Sequence, residues 1–95
     1  MPISATVTVR SIIADGPRIV LGAVWAQTDA EIKARLAATG VARPALVQKI
    51  AEMTRNYVCR TDDLAAFVRL GGEMQYVYVT RDNFPVASPL VTTCP

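Results

Sequence analysis

Two cysteines, Cys59 and Cys94, and no histidine set the chemistry open to this chain of 95 residues. Without an imidazole it lacks the usual near-neutral general base, the commonest metal ligand and the physiological pH switch. Arg55 and Arg60 flank Cys59 in sequence and would favour a thiolate there. With no histidine to complete a thiolate pair, a nucleophilic Cys59 is nevertheless not expected. The two sulfurs admit two states. Reduced thiols are the expectation for a cytoplasmic chain. The alternative, a Cys59–Cys94 disulfide, closes a loop of about 35 residues and contributes about 3–4 kcal/mol on the chain-entropy model.

The other reactive-looking residues have plainer readings. Asp62-Asp63 resembles a hard-metal or acid–base pair, but adjacent residues at a helix start project in different directions and no third carboxylate lies at ligand spacing. A helix start after Thr61 explains both acids. Gly71-Gly72 lacks the Lys-Ser/Thr and the following helix of a phosphate loop, so it reads as a helix stop. Tyr76 and Tyr78 share one face of a strand, as base-stacking aromatics do in RNA-binding sheets. The basic and small residues of that signature are missing, and a buried sheet face is the expectation. Arg43, Lys49, Arg55 and Arg60 make the middle of the chain locally basic, which fits a solvated helix face or a surface that steers an acidic partner. No catalytic, cofactor-binding or metal-ligating set emerges.

These residues need elements to hold them. Ile3, Ala5, Val7 and Val9 alternate with polar neighbours, which predicts a half-buried strand. Ala14-Asp15-Gly16-Pro17 is a turn signal, and Arg18 to Ala26 returns as a second strand, completing a hairpin. Thr28-Asp29-Ala30-Glu31 matches a capping box opening a short helix that Gly40 closes. Pro44 opens the strongest helix, whose apolar stripe runs Leu46, Ile50, Met53, Tyr57 and is widened by Val47, Ala51 and Val58. Leu64, Phe67 and Val68 bury a third helix. Met74 to Thr80 is a strand, Arg81-Asp82-Asn83 a turn, and Phe84 to Thr93 an extended segment that Pro85 and Pro89 keep at an edge or only partly paired.

The order is therefore ββ-ααα-ββ. It predicts one globular domain over residues 1–95, an α+β two-layer sandwich with a four-stranded, mainly antiparallel sheet covered on one face by helices. The expected core is Val7, Val9, Leu21, Val24, Trp25, Ile32, Leu36, Leu46, Ile50, Met53, Tyr57, Leu64, Phe67, Tyr76 and Tyr78. Hydrophobic residues make up 52% and charged residues 19%, a balance that excludes disorder. No apolar run is long enough to cross a membrane as a helix, so membrane insertion is not expected. The N-terminus lacks a signal-peptide pattern, which places the chain in the cytoplasm, or in an exported location had a leader been removed. A net charge of +2 is too small to imply nucleic acid as a partner. Eight arginines against two lysines suggest a GC-rich bacterial source.

The leading functional expectation is a small non-catalytic protein-interaction or accessory domain. It requires no cofactor and has a protein partner or self-association, with an open edge or patch in Met74–Val79 or Phe84–Val91. The alternatives are a nucleic-acid module built on Tyr76, Tyr78 and the arginines, and a thiol-dependent enzyme or exported disulfide-stapled domain.

Overall fold

A computed structural model of the chain describes residues 7–95 and the backbone of residues 2–4; the alternation predicted at Ala5 and Thr6, and the side chain of Ile3, lie outside the described residues. The elements are β1 (Pro2–Ser4), β2 (Val7–Asp15), β3 (Arg18–Trp25), α1 (Asp29–Thr39), α2 (Arg43–Arg60), α3 (Asp62–Arg69), β4 (Glu73–Val79), β5 (Pro85–Ala87) and β6 (Leu90–Val91). The layout is the mainly antiparallel α+β order that the sequence predicts, but the sheet has six strands and not four: β1 pairs antiparallel with β2, and the C-terminal segment divides into β5 and β6.

The first hairpin turns at Gly16, whose φ of 58° needs no Cβ to clash, and pairs Asp15 with Arg18. A bulge between Val9 and Ser11 inserts Arg10 as an unpaired residue, so the alternation of β2 shifts there. The second hairpin folds the C-terminal segment back on β4. Proline interrupts it, giving two short strands: Ala87 lies opposite Tyr78, and Val91 opposite Met74. The two hairpins meet along β3 and β4, which run parallel with Leu21 beside Tyr76 and Ala23 beside Tyr78. No tight turn can join parallel neighbours, so the intervening chain must cross over, and it does so as the three helices.

Leu21, Ala23, Met74, Tyr76 and Tyr78 point into the helical layer and are buried. Val24, expected in the core, falls on the opposite face of β3 and is half-buried, because side chains alternate along a strand. Thr28 caps α1 with both bonds of the box: its hydroxyl accepts from the Glu31 amide at 3.3 Å, and Glu31 Oε1 accepts from the Thr28 amide at 3.2 Å. Gly40 ends that helix with φ 71°. Thr61 precedes α3, but its hydroxyl donates back to the Tyr57 carbonyl at 2.7 Å instead of capping. Gly71 turns with φ 100°, and Gly72 has no room for a Cβ because the Phe67 ring lies against it.

The phase of α2 differs from the expected stripe. Its buried residues are Ile50, Thr54 and Val58, whereas Met53 and Tyr57 are 61% and 45% exposed. The apolar stripe is wider than the sheet can cover, and the helix seats its Thr54 side inward.

Cys59, in the last turn of α2, is joined to Cys94 on the tail after β6, with Cα atoms 5.4 Å apart. The expectation of reduced thiols is corrected: the tail leaves β6 alongside α2 and brings the two sulfurs together. Replacing both cysteines with serine (C59S/C94S) is expected to lower the unfolding free energy by about 2–4 kcal/mol, measured by urea denaturation. Mass spectrometry on the unreduced protein should find two hydrogens fewer than on the reduced one.

Candidate functional site

Between α1, α2 and one end of the sheet lies a cleft of about 770 Å³, within the range of small-molecule sites. Each wall follows from the local sequence. Ile32 and Leu36 face it from α1, four residues apart on one side of the helix. Leu46, Ile50, Met53 and Tyr57 face it from α2, where the inward rotation of Thr54 leaves the last two uncovered. Val7, Trp25 and Tyr78 supply the sheet end. The indole of Trp25 stands edge-on to the Tyr78 ring, with centroids 6.4 Å apart and planes at 86°. Tyr78 in turn stacks on Tyr76 at 5.9 Å.

Few polar groups enter this wall. The Thr54 hydroxyl donates to the Ile50 carbonyl at 2.8 Å, which uses its one proton. The Tyr78 hydroxyl, also 2.8 Å away, is therefore the donor in the Tyr78–Thr54 bond. Trp25 Nε1 and Gln27 Oε1 are buried and have no hydrogen-bond partner among the described residues. Each such group costs about 1–3 kcal/mol while unpaired. At the rim stand Arg35 of α1 and Lys49 of α2, with no ion-pair partner among the described residues. The rim carboxylate, Glu31, is engaged by the Thr28 amide and hydroxyl and lies 3.4 Å from Arg81. Those contacts hold its carboxyl below the usual range.

A polar junction joins the starts of α1 and α2 to the β4–β5 segment. Asp29 begins α1, where its carboxylate receives Lys33 at 3.0 Å and Arg43 at 3.2 Å. Arg43 also donates to the Pro85 carbonyl at 3.1 Å, and the Asp29 amide donates to Asp82 at 3.0 Å. Arg43 thus ties the starts of both helices to β5, and the Asp29 amide ties α1 to the β4–β5 turn. Lys33, and after it Arg43, holds the Asp29 carboxyl below its ordinary value against the opposing push of partial burial.

The residues singled out from sequence do not form one surface. Arg43 is committed to the junction, Lys49 stands on the cleft rim, and Arg55 and Arg60 flank a shallow hollow beside Cys59 and Pro95. Tyr76 and Tyr78 are 2% and 7% exposed, because they face the helical layer. Neither displays a ring to a partner across the sheet. Cys59 is bonded to Cys94 and has no thiol to offer as a nucleophile. Met74–Val79 is flanked by β3 on one side and by β5 and β6 on the other, so it leaves no free edge. Trp25 and Arg35 were not singled out as site residues. The signal that points to the site is the overwide apolar stripe of α2, which contains more hydrophobic residues than one buried face requires.

Two pH effects follow. Burial, with Tyr57 and Tyr78 nearby, pushes the Tyr76 phenol up to about 12, and burial also raises Tyr78. A phenol whose folded value is raised supports the fold below its unfolded value and loses that support as pH climbs. Stability is therefore expected to fall from about pH 10 upward. In an ultraviolet titration, tyrosinate should appear in a late step that merges with unfolding. Full ionisation near pH 10 in the folded state would contradict this burial. Asp29 acts in the opposite sense: its contribution is present above the ordinary carboxylate range and is lost as pH falls through its depressed folded value. Urea midpoints of Asp29→Asn are expected below wild type at pH 7, with the gap closing below about pH 4.

No protein-family model matches the chain, and no curated protein matches it in sequence. In fold it is similar to a crystal structure from Pseudomonas aeruginosa, a protein provisionally described as secreted. The TM-score is 0.66 at 14% identity, over 96% of this chain and 73% of that one.

Proposed function

We propose that this protein is a non-catalytic accessory domain that works in an oxidising compartment and binds an apolar small-molecule ligand in the α1–α2 cleft. The observation that carries the reading is the cleft wall. Met53 and Tyr57 stand more than two-fifths exposed on a helix that has a buried face elsewhere, around a concavity sized for a small molecule. Exposed apolar groups clustered on a concave surface mark binding sites more often than chance does.

An exported location is supported by the Cys59–Cys94 bond, since structural disulfides persist outside the reducing cytoplasm. The likeness in fold to a protein provisionally described as secreted points the same way. No helix among the described residues is long and apolar enough to cross a membrane. The surplus of arginine over lysine fits a bacterial source. The absence of histidine supports a role without acid–base catalysis.

Trp25 is the sole tryptophan and lines the cleft, so its emission reports directly on occupancy. Titration with the neutral apolar fluorophore N-phenyl-1-naphthylamine is expected to give saturable one-to-one binding, with energy transfer from Trp25. Met53→Asp and Tyr57→Asp should each weaken that binding by roughly tenfold, the loss of about one buried apolar side chain. Because both residues are exposed, stability should change by no more than about 0.5 kcal/mol. Absence of saturable binding, or affinity unchanged in both variants, would overturn the proposal.

A further inference from the structure

We infer that the ligand of the cleft is a single-chain amphiphilic anion, its alkyl or acyl chain against Trp25, Met53 and Tyr57 and its charged head at the rim beside Arg35 and Lys49. The inference rests on the reading of the cleft as a binding site and adds the chemical class of what fills it. Its basis is the distribution of charge around an apolar concavity. Arg35 and Lys49 project from the two helices that wall the cleft and have no ion-pair partner among the described residues. The one rim carboxylate, Glu31, is occupied by its own helix cap and by Arg81. A cationic head would meet two like charges there; an anionic head meets two opposite ones.

The apolar interior requires the rest of the molecule to be hydrocarbon. Buried charge is disfavoured where no partner exists, and away from Glu31, Arg35 and Lys49 the lining holds no charged group: its polar side chains there are Trp25, Gln27, Thr54, Tyr57 and Tyr78. Long chains attached to a charge bury the chain and leave the charge in water, as lysine side chains do on protein surfaces. The cleft therefore matches a molecule with one charged end.

The test compares two amphiphiles of equal chain length, dodecanoate and dodecyltrimethylammonium, each titrated into the oxidised full chain at neutral pH below its micellar range. Trp25 emission and displacement of N-phenyl-1-naphthylamine are the readouts. Dodecanoate is expected to bind about tenfold or more tightly than the cation. The double variant R35E/K49E should erase or invert that preference. Equal affinity for the two amphiphiles, or a preference unchanged in the double variant, would overturn the inference. If the neutral fluorophore binds but dodecanoate does not, the anion assignment fails and the cleft reading stands. If neither binds, both fail.

Discussion

The rotation of α2 about its own axis is the constraint on which the rest of the structure depends. A helix of 18 residues with apolar side chains on more than one face can seat itself in more than one way. Here a polar residue decides. Thr54 enters the core because its hydroxyl can be satisfied twice, by the Ile50 carbonyl one turn back and by the Tyr78 phenol from the sheet. Once Thr54 points inward, Ile50 and Val58 follow one turn to either side, and Met53 and Tyr57 are carried outward. A buried hydroxyl pair of this kind is worth little over water when made, but costs heavily when broken. It therefore selects a seating more than it adds stability.

The same helix is pinned at both ends. At its start, Arg43 reaches Asp29 and the Pro85 carbonyl, so the first turn is held against α1 and β5 together. At its end, the Cys59–Cys94 bond fastens it to the tail that follows β6. Three fixings at different heights, at Arg43, Thr54 and Cys59, oppose its rolling and so set which residues face the cleft. The cleft floor is set by the sheet: Trp25 comes from β3 and Tyr78 from β4, adjacent strands in parallel register whose spacing the sheet sets. Ligand sites built on such elements are largely preformed, which reduces the ordering cost of binding.

Much of this was legible in the residues, because local rules governed it. The Gly16 turn, the Thr28–Glu31 capping box and the Gly40 stop each depend on a few neighbouring side chains, and each stands where the sequence places it. What was not legible depended on distant chain. The parallel meeting of β3 and β4 is a property of the crossover and not of either strand's alternation. The path of the tail that brings Cys94 to Cys59 is set by β6, two residues long. The phase of α2 was hidden for a sharper reason: hydrophobic periodicity ranks Met53 and Tyr57 above Thr54, and only the Tyr78 hydroxyl opposite reverses that order. The candidate site is the visible consequence, since the residues displaced from the core are those that line the cleft.

The central claim is that Thr54, and not Met53, faces the sheet. Solvent paramagnetic relaxation of the methionine methyl groups, read by NMR with a soluble gadolinium chelate, tests it most directly. Met53 is 61% exposed and Met74 is 1% exposed, so the Met53 methyl should be strongly broadened while that of Met74 is untouched. A nuclear Overhauser contact from the Tyr78 ring to the Thr54 methyl should accompany this pattern. Equal protection of the two methionines, with the Tyr78 ring contacting Met53 in place of Thr54, would contradict it and remove the cleft with it.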